Sequence, residues 1–202
     1  MTNTRFDILI VGVGGQGVLL ASEIISEVAM GAGLDVKKSE VHGMSQRGGV
    51  VSSHVKIAPT VYSPVIFKGR ADVLISFEQA EALRAVDWLH PEGVAIAART
   101  RLVPAIVTSS KEYRYPDDAI ADLQKKPVRV IPVDSESIAR ELGDPRLVNT
   151  ILLGVLSNNL PFSELQWSEA IRNRVKAKFV DINLAAFERG RQITLETAGL
   201  AG

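Results

Sequence analysis

Phe6-Asp7-Ile8-Leu9-Ile10-Val11-Gly12-Val13-Gly14-Gly15-Gln16-Gly17 decides the fold. The apolar run Ile8 to Val11 passes directly into glycine. Val18 to Met30 follows, with Leu19, Leu20, Ile24 and Val28 spaced as one stripe of a helix. This order predicts a buried strand, a glycine turn and a helix. Gly12, Gly14 and Gly17 have the spacing of a dinucleotide fingerprint. On that reading Gly12 makes the tight turn, Gly14 admits a ligand to the backbone, and Gly17 lets the helix pack on the sheet. Gly15 adds a further close approach, by a ligand or by a neighbouring chain. The unpaired N–H groups of the new helix would face an anion. A turn that needs small residues for packing alone is the alternative.

Outward from this stretch, Gly31 and Gly33 end the helix and Val36 to Val41 forms a second strand. Val50 to Ile57 alternates as a half-buried strand, with Val51, Ser53 and Val55 on one side. Val61 to Phe67 is a short strand or an irregular edge, given Pro64. Ala71 to Phe77 is a buried strand, and Glu78 begins a helix. Asp87 to Gly93 turns the chain into a strand at Val94 to Ala97, with another expected at Pro104 to Val107. A short helix over Asp118 to Lys126 precedes the strand Val128 to Val133. Asp134 or Ser135 caps the next helix. Leu147 to Leu156 is apolar almost all round, as in a buried helix. Ser163 opens another, with Glu164 and Gln166 in its first turn. Phe179 to Leu195 is the last, followed by a fraying tail. Strands separated by helices predict a single-domain, Rossmann-like α/β fold: a doubly wound, mostly parallel sheet with flanking helices. Residues 50–67 break the alternation and predict a small antiparallel feature.

The chain has 202 residues, enough for one sizeable core. Lys plus Arg and Asp plus Glu both number 23, so nothing in the charge balance calls for nucleic acid. No apolar run of transmembrane length predicts a membrane partner, and the N-terminus shows no signal-peptide pattern. The expectation is a cytoplasmic protein. With no cysteine, the chain supplies neither a cysteine nucleophile nor thiolate ligands for zinc or iron–sulfur clusters. Its three histidines, His42, His54 and His90, lack close metal-ligand spacing. The expectation is therefore no metal and no catalytic residue assigned to this chain.

A second cluster stands at Glu40-Val41-His42-Gly43-Met44-Ser45-Gln46-Arg47-Gly48-Gly49. It carries a carboxylate, an imidazole, a hydroxyl, an amide and a guanidinium among glycines. It should leave the carboxyl end of the second strand, as Gly12 to Gly17 leaves that of the first, and open α/β sheets bind ligands at that edge. Arg47 suits a bidentate grip on phosphate or carboxylate. Met44 and Arg47 also suit a protein interface. Glu40 lies late, and Asp35 awkwardly, for the acidic residue that binds a dinucleotide ribose. There is no lysine and hydroxyl pair of a P-loop and no serine elbow.

These two stretches make the chain resemble the gamma subunit or gamma domain of the 2-oxoacid:ferredoxin oxidoreductases. Within that family it is most similar to the beta subunit of the indolepyruvate type. Asn149-Thr150-Ile151-Leu152-Leu153-Gly154 resembles a third family stretch, and the resemblance spans residues 1–202 as one gamma-type domain. It implies a subunit of an enzyme that oxidatively decarboxylates 2-oxoacids, here arylpyruvates, to acyl-CoA while reducing ferredoxin. It implies a larger partner subunit holding thiamine diphosphate, Mg2+ and iron–sulfur clusters, with coenzyme A at or near this chain. Gly12, Gly14, Gly15, Gln16, Gly17, Glu40, His42, Gly43, Met44, Ser45, Gln46, Arg47, Gly48, Gly49 and Asn149 are the cofactor-binding or interface candidates. A stand-alone nucleotide-dependent oxidoreductase and a non-catalytic assembly subunit are the alternatives.

Overall fold

The computed structural model describes residues 4–42, 49–103 and 114–199, with the backbone alone for 194–199. Strands β1 (Phe6–Val13), β2 (Asp35–His42), β3 (Val50–Ala58), β4 (Ala71–Ser76), β5 (Leu89–Ala98) and β6 (Arg129–Val133) form one sheet. Its order is β2-β3-β1-β4-β5-β6. β1, β4, β5 and β6 pair in parallel, and β3 runs antiparallel to both neighbours. The helices are α1 (Val18–Gly31), α2 (Gln79–Ala85), α3 (Ala119–Gln124), α4 (Ser135–Glu141), α5 (Val148–Ser157), α6 (Glu164–Arg174) and α7 (Val180–Gly199). Successive β1 side chains point to opposite faces. Ile8 and Ile10 enter a core with Ile24 of α1, Ile151 of α5, Trp167 of α6 and Phe187 of α7. Leu9 and Val11 enter a second core with Ala82 of α2 and Leu123 of α3. The sheet is therefore covered on both faces.

The antiparallel feature expected at 50–67 is not peripheral. β3 is inserted between β1 and β2, with Ile10 opposite Ser53 and Glu40 opposite the same residue. That position buries Ser53, His54 and Val55 in succession, so the strand is covered on both faces there. Val61 to Phe67 forms no strand, and Tyr62 and Phe67 are exposed. The turn expected at Asp87 to Gly93 is shorter: β5 already begins at Leu89, which pairs with Ala71. The register then shifts before Val73 meets Val94, so Pro91 lies where the ladder is interrupted. The strand expected at Pro104 to Val107 lies outside the described residues. The last helix proper starts at Val180, after a single turn of 3-10 helix at Ala177–Phe179, and continues to Gly199. The helix thus runs past Leu195, where the sequence predicts its end.

Local chemistry explains the helices. Ser163 accepts from Gln166 N, while Gln166 Oε1 accepts from Ser163 N at 2.8 Å, a complete capping box. Asp134 caps α4 through Ser137 N at 3.2 Å. In α5 every residue from Asn149 to Ser157 is buried, as its apolar circumference requires. α5 meets α7 at two glycines. A Cβ on Gly154 would stand 2.1 Å from Phe187 O, and one on Gly190 would stand 2.0 Å from Ile151 O. Only hydrogen at both positions permits this crossing.

His54 yields a pH prediction. Its Nδ1 accepts from Ile66 N at 3.2 Å, so the imidazole is neutral, and its ring edge meets Trp88 at 5.1 Å between centroids. Burial pushes its pKa below the ordinary 6.5. As pH falls through 6.5 the unfolded chain takes up a proton that the native chain refuses. The contribution to stability is thus complete above that value and declines with acidification. Thermal unfolding of the parent and of His54→Asn between pH 7 and pH 5 checks this. The parent should lose more of its Tm than the variant, and equal slopes would assign the pH dependence to other groups.

Candidate functional site

The fingerprint glycines divide the work differently from the sequence expectation. Gly12 is still within β1, and its Cα is packed so tightly that a Cβ would lie 3.0 Å from Gln16 Oε1, Phe77 Cβ and Val18 Cγ2. The conformational demand falls on Gly15 and Gly17, with φ of 98° and 88°, the left-handed region that side chains avoid. Gly17 is the N-cap of α1 and packs on Asn149 of α5, not on the sheet: a Cβ there would stand 2.9 Å from Asn149 Nδ2. A Cβ on Gly15 would meet open space, so that residue is glycine for its backbone angle. Gly14 N donates to Gly49 O at 2.9 Å, which commits the amide expected to meet a ligand.

Gln16 folds back into the protein. Its Oε1 accepts from Val13 N at 2.7 Å and its Nε2 donates to Phe77 O at 2.9 Å. The side-chain amide thereby fixes the turn against the end of β4.

The two glycine segments do meet at one edge. The carboxyl ends of β1 and β2 flank the start of β3, with Val13 opposite Val50 and His42 opposite Val51. The Gly14–Gly49 hydrogen bond joins the first segment to the last residue of the second. Gly43, Met44, Ser45, Gln46, Arg47 and Gly48, and the side chain of His42, lie outside the described residues. Glu40 faces α1, with its Oε1 accepting from Ser22 Oγ at 3.4 Å and Lys38 Nζ at 3.3 Å. That contact braces β2 on the helix that follows the turn.

On its other side the turn borders a cavity of about 550 Å³. Gly15 to Gly17 form one wall, and Leu20, Leu102, Pro145 and Val148 give it apolar surface. Thr100, Asn149, Glu136, Arg140 and Arg146 supply polar groups. No side chain caps α1 and no acidic residue stands in its first turn, so its leading N–H groups retain their positive potential. Asn149 Oδ1 is used within α5, accepting from Thr150 N at 2.7 Å. Arg146 is chelated by Asp144 through Nε–Oδ1 at 2.9 Å and Nη2–Oδ2 at 2.6 Å, and stacks over Phe179. These hydrogen bonds from Arg146 hold the Asp144 carboxyl down to about 2, so the pair remains ionised at neutral pH. Asn149 is thus brought to the first glycine segment, whereas nothing described brings Glu40 to it. Thr100, Arg140 and Arg146 went unread in the sequence, because each lies in a different segment with no motif spacing to mark it.

Glu78 organises the neighbouring wall. Its carboxylate is 1% exposed, caps α2 through Glu81 N at 2.9 Å, and accepts from Leu102 N at 3.3 Å and from the Tyr115 hydroxyl. Burial first, and then this carboxylate, push the Tyr115 phenol well above its ordinary pKa, so it stays a donor. One side chain therefore anchors residues on both sides of 104–113.

The family described as pyruvate ferredoxin/flavodoxin oxidoreductase matches residues 7–193. The indolepyruvate oxidoreductase subunit IorB of Archaeoglobus fulgidus is 43% identical over 190 residues, covering 92% of this chain and 94% of that one. The subunit of the same name from Thermococcus kodakarensis is 38% identical, covering 97% and 99%. The gamma subunit of a keto/oxoacid ferredoxin oxidoreductase from Geobacter sulfurreducens shares the fold, with a TM-score of 0.71 at 23% identity, covering 95% and 99%.

Proposed function

Because the chain belongs to the pyruvate ferredoxin/flavodoxin oxidoreductase family, we propose that it is the non-thiamine subunit of an oxidoreductase that converts arylpyruvates, indolepyruvate among them, to acyl-CoA and reduces ferredoxin. The observation that carries this reading is the near end-to-end match to whole subunits of indolepyruvate oxidoreductases. Residues 1–202 act as one gamma-type domain, in the cytoplasm, bound to a larger subunit. That partner holds thiamine diphosphate, Mg2+ and the iron–sulfur clusters. With no cysteine this chain lacks the ordinary ligands for iron–sulfur clusters, and the described residues bring no three His, Asp or Glu together at metal-binding range. The glycine turn, Asn149 and the segment from Glu40 to Gly49 contribute to binding coenzyme A or the partner, with Arg47 as the anion-pairing residue.

The rival, a stand-alone nucleotide-dependent oxidoreductase, meets a geometric obstacle. A dinucleotide site places the acidic residue of the second strand beside the glycine turn of the first. Here β3 separates those strands, which moves β2 about 10 Å from β1. Asp35 is taken by Lys37 and Val61 N, and Glu40 by Ser22 and Lys38. Neither of these β2 carboxylates is left poised for a ribose.

The test is reconstitution. The purified chain should give no arylpyruvate-dependent reduction of ferredoxin alone, and turnover should appear with the larger subunit, thiamine diphosphate and coenzyme A. Across a panel of 2-oxoacids, arylpyruvates should exceed pyruvate at least tenfold in kcat/KM, about 1.4 kcal/mol in transition-state binding. Preference for pyruvate would overturn the substrate assignment. Stoichiometric NAD binding with activity in the isolated chain would establish the rival.

A further inference from the structure

We propose that the cavity between the α1 N-terminus and α4–α5 is a binding site for a small organic anion, a carboxylate or phosphate monoester head carrying an apolar body. It rests on the part of the functional proposal that makes the glycine turn a binding element, and it names the ligand class and residues that reading lacks.

Three independent observations converge. The first is the uncapped N-terminus of α1, a helix of 14 residues that opens on the cavity through Gly15 and Gly17. The second is Thr100, which lines the cavity, is 5% exposed, and has a hydroxyl with no hydrogen-bond partner among the described residues. Such a group costs stability unless something meets it. The third is Asn149, 6% exposed, whose Oδ1 is engaged within α5 while its Nδ2 donates to no group among the described residues. That Nδ2 lies against Gly17, at the head of α1. A hydroxyl, an amide N–H and unpaired backbone N–H groups form the donor set that an oxyanion fills.

Charge limits the ligand to no more than about two negative units. Arg146 is neutralised by Asp144, so its charge is already matched. Arg140 and Glu136 are one turn apart on α4, both line the cavity, and neither forms an ion pair among the described residues. Their charges sum to zero, which leaves the helix terminus as the net attraction. The apolar wall of Leu20, Leu102, Pro145 and Val148 suits an aryl or alkyl body. The volume of about 550 Å³ falls in the ordinary range for small-ligand sites.

The experiment titrates the full chain with phenylacetate, phenyl phosphate and inorganic phosphate, by amide NMR and calorimetry, and repeats the tighter titration on the complex with the larger subunit. At least one aryl anion should bind saturably, shift the amides of Gly15 to Leu20, and bind at least tenfold tighter than inorganic phosphate. The better of phenylacetate and phenyl phosphate identifies the head group. Asn149→Asp should weaken binding at least 100-fold by setting a like charge at the site. Thr100→Val and Arg140→Gln should each weaken it about tenfold, with unfolding temperatures confirming that each variant is folded. No saturable binding of any probe, or folded variants that all bind like the parent, would overturn the proposal. Loss of binding on assembly would also overturn it, because the cavity would then be filled by the partner. The readout is binding, so the oxidoreductase assignment stands or falls separately by turnover.

Discussion

Gly154→Ala is expected to destabilise the protein by about 4 kcal/mol, at the upper end of overpacking effects. The added methyl would stand 2.1 Å from Phe187 O and 2.9 Å from Arg191 N. Both neighbours are helix backbone, which cannot swing aside as a flexible side chain can. α5 and α7 must separate, and that opens the core around Trp167 and Phe187, stacked at 5.7 Å. For a chain of this size the midpoint of thermal unfolding should fall by about 10 °C. Gly190→Ala should do the same through Ile151 O at 2.0 Å. The double variant should cost less than the sum, because one separation of the helices relieves both clashes. Gly31→Ala is the control: a Cβ there meets open space, and the midpoint should stay level or rise slightly. A Gly154→Ala protein that melts with the parent would show that the helices do not cross this closely in solution.

Glu78→Ala should cost about 3 kcal/mol, read as a lower urea midpoint. The variant strips the N-cap from α2 and leaves Leu102 N and the Tyr115 hydroxyl without their acceptor. Glu78→Gln keeps one accepting oxygen and should fall between the parent and Glu78→Ala. Tyr115→Phe removes one donor and should cost about 1 kcal/mol. Equal midpoints for the parent and Glu78→Ala would show that the carboxylate does not anchor these segments.

The β1–turn–α1 unit was legible because an apolar run, a glycine cluster and a helical stripe agree locally. The same holds for α5, whose sequence has no polar face, and for α6, whose Ser163 and Gln166 announce its start. β3 was legible as a strand but not as an interior one: a period of two shows the face of each residue, not the neighbours of the strand. Asp87 to Gly93 read as a turn, yet the chain accommodates Pro91 at a shift in register inside β5. At the site, spacing located the glycines but misassigned their duties, since positive φ at Gly15 and Gly17 and contact at Gly12 are properties of three-dimensional packing. Gln16 carries an amide that sequence leaves free to face outward; the backbone groups at Val13 and Phe77 claim it first. Thr100, Arg140 and Asn149 come together only through the crossing of the fold, and no local pattern marks them as neighbours.

The placement of β3 also bears on how this protein can change. A connection between parallel strands must cross a face of the sheet and keep its right-handed sense, so its length and packing are constrained together. The connection from His42 to Gly49 joins antiparallel neighbours that are already in register, with His42 opposite Val51. It can be lengthened, shortened or transplanted from a relative while the six-stranded order stays as it is. The fold thus lets the chain between β2 and β3 vary in length and chemistry without re-threading the domain.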